Sequence, residues 1–168
     1  MKISIIRGEI TKVKADAIVN PANSTLLGGS GADGEIHRIA GRELKEECQR
    51  IRDSLYPKGL PTGEAVVTKA YALPAKIIIH TVGPRFYSQD VSLLKNSYVN
   101  SLRLAEEQGC ESIAFPAIAT GAYGVPIKKS AEIVKSVLEN YKSEVIKEVI
   151  LVLYREEDFK VYKEIFVS

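Results

Sequence analysis

Apolar residues follow two different periods along this chain. Short, nearly continuous apolar runs alternate with longer segments in which apolar residues recur every three or four positions. The first pattern is typical of strands buried on both faces, and the second is typical of amphipathic helices. The apolar runs predict strands at Lys2–Arg7, Asp16–Asn20, Glu64–Lys69, Lys76–Val82, Ser112–Ile118 and Glu148–Tyr154.

The helical period marks the segments between and after these strands. It predicts helices over Asp33–Asp53, Val91–Gln108, Pro126–Tyr141 and Glu156–Phe166. Because strands alternate with helices, we expect an α/β protein with a largely parallel sheet that helices cover on both faces. Ligands of such sheets bind beyond the carboxyl ends of the strands.

Two glycine-rich segments fall at that edge of the predicted sheet. The first is Asn20–His37, and the second, Ala119–Gly124, follows a buried strand. The main-chain N–H groups of such loops, together with a helix N-terminus, form anion sites. Tyr154 ends the last strand at the same edge. We therefore expect one crevice at this edge, with a pair of loops suited to a diphosphate.

The first loop also carries polar side chains. Asn20 and Asn23 enter it, and Asp33 and His37 leave it, four residues apart on one face of the predicted helix. This combination favours chemistry beside a phosphate. Each residue also has a structural interpretation, because Asp33 could merely stabilise the helix N-terminus. Likewise, His37 could be a hydrogen-bonded helix residue, and Asn20 could fix the loop through its own backbone contacts.

Several other side chains have structural interpretations as well. Tyr123 and Tyr154 could be core aromatics, and His80, inside a buried strand pattern, is expected to be structural. Cys48 and Cys110 are most simply small apolar core residues. With 2 cysteines and 2 histidines in the whole chain, no metal site is predicted.

The spacing of Gly29, Gly31 and Gly34 matches the dinucleotide-binding fingerprint, but its context does not. The segment Pro21–Gly28 separates the strand from the motif, whereas the fingerprint opens directly from its strand. Asp53 lies at the distance expected of the ribose-binding acid, but within a helical pattern. A P-loop is excluded because no Gly-Lys-Ser/Thr sequence follows the glycines.

Length and composition indicate one domain over residues 1–168. The hydrophobic fraction of 45% is that of a globular protein, and the formal net charge of +2 argues against a nucleic-acid partner. No apolar run is long enough to span a membrane, and the N-terminal apolar segment is too short for a signal peptide. Together with the low cysteine count, these features favour a cytoplasmic protein.

Taken together, the motifs resemble a macro domain of the ADP-ribose-processing class over nearly the full length of the chain. The resemblance rests on ordered motifs at Gly8–Thr11, Asp16–Asn23, Gly28–Gly41, Ile79–Pro84, Ala114–Ile118 and Thr120–Gly124. The segment Gly28–Gly41 resembles the subclass that removes ADP-ribose from acidic side chains and deacetylates O-acetyl-ADP-ribose. The resemblance implies a three-layer α/β/α sandwich with a mixed central sheet.

The resemblance also implies roles for individual residues. Asp33, His37 and Asn23 would form the catalytic group, with Asn23 holding the distal ribose. Tyr154 would stack on adenine, and Glu9 stands where the family has an aspartate that binds the adenine amino group. The other implied ligand-binding residues are Ile10, Asn20, Gly29, Ser30, Gly31, Thr120, Gly121, Ala122 and Tyr123.

The implied reaction is hydrolysis of an ester between the distal ribose and a Glu side chain, an Asp side chain or acetate. A water held between Asp33 and a substrate phosphate would attack, with Asp33 as general base or as the group that orients this water. His37 would orient the site, and no metal or other cofactor is needed. The implied partners are ADP-ribose, ADP-ribosylated proteins and O-acetyl-ADP-ribose. Two other functions would use a similar pocket and stay open on the sequence: an ADP-ribose reader without turnover, and a phosphatase for ADP-ribose 1″-phosphate.

Overall fold

The computed structural model describes residues 1–167, and its strands form one six-stranded sheet. The strands are β1 (Lys2–Arg7), β2 (Ala17–Ala22), β3 (Ala65–Lys69), β4 (Ile77–Val82), β5 (Ser112–Phe115) and β6 (Glu148–Leu153). Their order is β1-β6-β5-β2-β4-β3, and every neighbouring pair is parallel except β3 and β4. The predicted mixed, largely parallel sheet is therefore confirmed.

Helices cover both faces of this sheet. They are α1 (Gly31–Ala40), α2 (Arg42–Leu55), α3 (Leu93–Glu107), α4 (Ile127–Asn140) and α5 (Glu156–Val167). On one face, Leu44 of α2 is buried in a cluster with Ile78 of β4. On the other face, Leu102 of α3 and Val134 of α4 are buried in a cluster with Val149 of β6. The two apolar cores give the three-layer α/β/α arrangement that the resemblance implies.

The prediction of a single helix over Asp33–Asp53 is wrong. The segment forms α1 and α2, which are separated by Gly41 at a φ of 98°. Residues other than glycine rarely adopt this φ, which lies outside the α-helical region, so a helix cannot continue through Gly41. The predicted apolar stripe survives the break, since Ala40 and Leu44 on either side lie in the same buried cluster.

The carboxyl ends of the central strands lie at one edge of the sheet because these strands are parallel. There β2 leads into the first glycine loop, β5 leads into the second, and β6 ends one residue before Tyr154. Strand β5 ends at Phe115, earlier than predicted, because Pro116 cannot donate to the sheet ladder. The shorter strand lengthens the second loop.

The two cysteines lie on opposite faces of the sheet. Cys48 belongs to the cluster beneath α2, and Cys110 belongs to the cluster beneath α3 and α4. Both are buried and free, as expected of small apolar core residues. Within residues 1–167, no helix has the length and apolar character needed to cross a membrane.

Candidate functional site

Two adjoining cavities lie at the carboxyl edge of the sheet. The narrow cavity has a volume of about 250 Å³ and the wide cavity about 620 Å³. Both are bounded by the start of α1 and by the loop after β5, which contribute the shared wall residues Gly31, Ala32, Pro116, Ala117 and Gly121. The two cavities therefore form one elongated crevice, as the positions of the glycine loops predict.

Most of the predicted site residues line this crevice. The narrow cavity is lined by Asn23, Gly29, Ser30, Gly31, Asp33, Gly121, Ala122 and Tyr123. The wide cavity is lined by Glu9, Ile10, Gly31, Thr120, Gly121 and Tyr154. Asn20 and His37 line neither cavity.

The first glycine loop is pressed against the helix that follows it. A Cβ atom on Gly34 would clash with the carbonyl oxygen of Gly29, so only glycine lets α1 start this close to the loop. Gly29 lies between two functional groups, because a Cβ there would be 3.2 Å from both Asn23 Nδ2 and Asp33 Oδ2. The loop therefore brings an amide and a carboxylate together on one wall of the narrow cavity.

The side chain of Asn23 also shapes this loop. Its Nδ2 donates to the carbonyl oxygen of Gly28 over 3.0 Å, and its Oδ1 accepts from the backbone N–H of Thr25 over 3.1 Å. Since Nδ2 carries two hydrogens and Asn23 lines the cavity, one N–H remains for a ligand.

The second glycine loop is held from behind by the segment after β4. The N–H of Phe86 donates to the carbonyl oxygen of Tyr123 over 2.8 Å, and the guanidinium of Arg85 lies 5.1 Å from the centre of the Tyr123 ring. A Cβ on Gly83 would lie 2.8 Å from the Ala119 methyl group, so a larger residue there would push the loop outward. Ala119 itself has a φ of 66°, an unfavourable conformation for alanine that this packing maintains.

The narrow cavity is electrostatically unusual for a predicted phosphate site. Its lining residues include no lysine or arginine within the described chain, and its single formal charge is the carboxylate of Asp33. A bound diphosphate would therefore depend on main-chain N–H groups and on the N-terminus of α1.

Asp33 lies in the first turn of α1, and only 5% of its surface is exposed. Its Oδ1 accepts a hydrogen bond of 2.9 Å from the buried Asn20 Nδ2, while Oδ2 lies near Gly29, and both Asp33 and Gly29 line the narrow cavity. Burial raises the pKa of the Asp33 carboxyl, whereas the Asn20 hydrogen bond and nearby His37 act in the opposite direction. Asp33 is thus an anchored carboxylate whose second oxygen faces the cavity.

Asn20 is fully buried behind Asp33 instead of on the cavity wall. Its Nδ2 also lies 3.0 Å from His80 Nδ1, and His80 Nε2 lies 2.8 Å from Thr68 Oγ1. Burial lowers the pKa of His80 to about 3, so this ring is neutral at physiological pH. Any effect of Asn20 on a ligand therefore passes through Asp33.

His37 lies near the Asp33 carboxylate but outside the narrow cavity. Its Nε2 lies 3.6 Å from Asp33 Oδ1, which is beyond hydrogen-bonding distance, and neither ring nitrogen has a hydrogen-bond partner among residues 1–167. Burial lowers the pKa of His37, although Asp33 acts in the opposite direction, so the ring is neutral at pH 7. His37 lines a separate surface groove with Arg38 and Lys45, and its catalytic role stays a prediction.

His37, Cys48 and His80 place potential metal ligands within 4.8 Å of one another. Both ring nitrogens of His80 already have hydrogen-bond partners, and burial raises the pKa of the Cys48 thiol to about 12. A metal would have to displace these partners and a tightly held proton. The hydrogen bonds of His80 and the proton of Cys48 therefore both oppose metal binding at this cluster.

The wide cavity is the more exposed end of the crevice. Tyr154 is 68% exposed, so it is not a core aromatic and can offer a ring face to a ligand. The carboxylate of Glu9 forms a 2.6 Å ion pair with Lys12 at the rim. Sequence reasoning missed Arg155 and Asp158, which pair through two hydrogen bonds on the same wall. The position of Arg155, directly after Tyr154 at a strand end, could have indicated it.

The chain belongs to the macro domain family, because residues 19–134 match the model of the Macro domain. A relative from Escherichia fergusonii, named O-acetyl-ADP-ribose deacetylase, is 44% identical over 173 residues. The match covers 99% of this chain and 96% of that protein.

Solved macrodomains have the same fold. The Oceanobacillus iheyensis macrodomain with ADP superposes with a TM-score of 0.93 at 41% identity, covering 97% of this chain and 88% of that one. The Trypanosoma brucei macrodomain in complex with ADP-ribose superposes with a TM-score of 0.86 at 36% identity, covering 96% and 68%. The structural similarity therefore covers nearly the whole chain.

Proposed function

We propose that this protein binds ADP-ribose and hydrolyses ADP-ribosyl esters. Its substrates would be mono-ADP-ribosylated Glu and Asp side chains and O-acetyl-ADP-ribose, and ADP-ribose would be released. The observation that carries this proposal is the Asp33 carboxylate, which is buried, anchored through one oxygen and open to the narrow cavity through the other.

The shape of the crevice supports one orientation of the ligand. Adenine would lie in the wide cavity against Tyr154 and near Glu9, and the diphosphate would lie between the two glycine loops. The distal ribose would then reach Asn23 and Asp33 at the end of the narrow cavity. The complexes of related macrodomains with ADP and ADP-ribose support this choice of ligand.

The proposed chemistry needs one water and no cofactor. Ionised Asp33 accepts a hydrogen bond from that water, which attacks the ester and breaks one of its C–O bonds. The water supplies the OH group that completes either the ribose hydroxyl or the acid, one proton is released through Asp33 to solvent, and the products are ADP-ribose and a free carboxylate. Attack on the anomeric carbon expels the carboxylate, which is a good leaving group, and attack on the acyl carbon expels the ribose oxygen. In either case, holding the water and the ester in place would supply much of the catalysis. His37 would support the site as a neutral ring, in keeping with the lowering of its pKa by burial.

The test is incubation with a peptide that carries one ADP-ribose on a glutamate, followed by intact-mass analysis. We expect loss of the ADP-ribosyl group and the appearance of free ADP-ribose. A matched peptide with ADP-ribose on arginine lacks the ester and should stay intact. Repeating the reaction in ¹⁸O-labelled water places the label in the carboxylate if the acyl carbon is attacked, and in the ribose if the anomeric carbon is attacked.

Calorimetry with ADP-ribose and ADP measures binding, and comparison with the peptide assay separates the enzyme from a reader module. Binding of ADP-ribose without release of the group from the glutamate peptide would make the protein a reader. Release of phosphate from ADP-ribose 1″-phosphate without ester cleavage would make it a phosphatase. Equal affinity for ADP and ADP-ribose would contradict the contact proposed between Asn23 and the distal ribose.

A further inference from the structure

A network of buried hydrogen bonds runs from β3, the outermost strand on one side of the sheet, to the Asp33 carboxylate. Thr68 of β3 lies 2.8 Å from His80 of β4, which lies 3.0 Å from Asn20 of β2, which lies 2.9 Å from Asp33. Thr68, Asn20 and His80 are at most 2% exposed. Strand register brings the middle pair together, because Asn20 and His80 are direct neighbours across β2 and β4.

While Asp33 is ionised, the donors and acceptors of this hydrogen-bond network agree in only one arrangement. Asn20 Nδ2 carries two hydrogens, and these go to Asp33 Oδ1 and His80 Nδ1. His80 Nδ1 must therefore be an acceptor, which places the ring proton on Nε2. That proton is donated to Thr68 Oγ1, whose own hydrogen goes to the carbonyl oxygen of Lys69 over 3.0 Å.

The opposite tautomer of His80 would disturb Asp33. A proton on Nδ1 would face the N–H of Asn20, and the amide would have to turn over to offer its oxygen to His80. The Asn20 oxygen, which is buried and has no partner among the described residues, would gain a donor by this flip. The flip would also aim that oxygen at the Asp33 carboxylate, where two acceptors repel each other.

We propose that Thr68 and His80 are positioning residues for Asp33. Thr68 holds the tautomer of His80, the tautomer holds the orientation of the Asn20 amide, and the amide holds Oδ1 of Asp33 so that Oδ2 faces the cavity. This proposal rests on the hydrolase function only for its kinetic consequence. The position of the His80 ring proton and the pKa of Asp33 can be measured without turnover, so they test the proposal independently of that function.

The experiment compares Thr68→Val, which keeps the shape but removes the hydroxyl, with Thr68→Ser, which keeps the hydroxyl. On the ADP-ribosyl-glutamate peptide, we expect Thr68→Val to lower kcat by about tenfold to a hundredfold, the scale of a misplaced catalytic group. Its affinity for ADP-ribose should stay within about twofold, and Thr68→Ser should retain near-wild-type kcat. In an Asp33→Ala background Thr68→Val should have no further effect, because both changes act through one group.

Nuclear magnetic resonance supplies the readouts that do not need catalysis. Nitrogen–proton correlation of the His80 ring should place the proton on Nε2 in the wild type and show mixed tautomers in Thr68→Val. The pKa of the Asp33 carboxyl should rise in Thr68→Val, since the hydrogen bond that favours its ionised form is weakened. Thermal melts of each variant establish that it is folded at the assay temperature.

Several results would overturn the proposal. A wild-type proton on Nδ1 of His80 would remove its premise, and an unchanged Asp33 pKa in Thr68→Val would break the link to the carboxylate. A further fall in kcat when Thr68→Val is added to Asp33→Ala would indicate a general packing defect. If the wild type shows no turnover, the hydrolase function fails, and the tautomer and Asp33 titration still decide the positioning role.

Discussion

The two ends of the crevice are built differently. At the narrow end, Asp33 is 5% exposed, and it is held through Asn20 and His80, which are fully buried. At the wide end, Tyr154 is 68% exposed, and Glu9 pairs with Lys12 at the surface. The narrow-end side chains are therefore linked to one another by hydrogen bonds, whereas Tyr154 and the Glu9–Lys12 pair lie at the surface. We expect substitutions at the narrow end to act together and substitutions of Tyr154 and Glu9 to act independently.

Substitution of Asp33 should produce the largest change in activity, and it tests the narrow end separately from the wide end. Asp33→Ala should lower kcat on the ADP-ribosyl-glutamate peptide by about 10²–10⁴-fold, the usual contribution of a general base. Binding of ADP-ribose, measured by calorimetry, should change far less. The matched control is Asp53→Ala, which removes an exposed carboxylate outside both cavities. A parallel loss of binding and turnover would contradict a role specific to catalysis.

The pH profile of the wild type sharpens the same prediction. Because burial raises the pKa of Asp33, its ionised form is lost at a higher pH than for an ordinary aspartate. We expect the acid limb of kcat against pH to lie above the usual aspartate range and to be absent from the residual activity of Asp33→Ala. An acid limb in the ordinary range would separate the titrating group from Asp33.

Acid should destabilise the protein through its buried histidine. His80 has a pKa of about 3 in the folded protein, below the ordinary histidine value. Between about pH 6.5 and pH 3, His80 is therefore protonated only in the unfolded chain. The free energy of unfolding should then fall by about 1.4 kcal/mol per pH unit over that window. Asp33 acts with the opposite sign, since its raised pKa makes protonation favour the folded state.

Urea titrations at a series of pH values measure this effect, with His80→Gln as the comparison. The variant lacks the titrating ring, so its unfolding free energy should decline less steeply below pH 6.5. Identical slopes in the two proteins would assign the acid sensitivity to other groups, among them His37, whose pKa is also lowered by burial.

Truncation of Tyr154 should have a smaller effect, and on binding alone. Tyr154→Ala should weaken ADP-ribose binding by roughly fivefold to a hundredfold, since stacking of a base on an aromatic ring contributes about 1–3 kcal/mol. The ring is largely exposed, so the fold should be little affected. Tyr154→Phe keeps the ring and should bind nearly as well as the wild type in calorimetry. Unchanged affinity in the alanine variant would place adenine elsewhere.

Substitution of Glu9 should have the smallest effect. Its side chain is 41% exposed and already paired with Lys12, and ion pairs at the surface contribute little. Glu9→Gln should weaken ADP-ribose binding by less than about fivefold. A loss as large as that in Tyr154→Ala would make the rim carboxylate a main determinant of affinity and would end the contrast between single and cooperative residues.

The fold could be predicted from the sequence because each strand and helix has its own local period. The crevice followed from one further rule, that parallel strands present their carboxyl ends at one edge. The break at Gly41 could not be predicted, because the apolar stripe runs through it without interruption.

The hydrogen bonds behind Asp33 are a different case. Asn20 and His80 are 60 positions apart in sequence, and their contact depends on which residues of β2 and β4 are paired. A change of register by one residue would have turned His80 to the other face. The local sequence pattern placed both residues on strands but could not predict the contact between them.

The absence of lysine and arginine from the described lining of the narrow cavity affects how its ligand contacts can be mapped by mutagenesis. If the diphosphate is held by peptide N–H groups, each donor belongs to the main chain and persists whatever side chain is attached. An alanine scan of residues 119–124 would not remove these donors, because Ala119 and Ala122 are already alanine and Thr120→Ala and Tyr123→Ala keep their N–H groups. Proline substitutions delete one N–H at a time, and a backbone-ester analogue made by chemical synthesis does so without fixing φ. Such substitutions would identify contacts that side-chain mutagenesis does not detect.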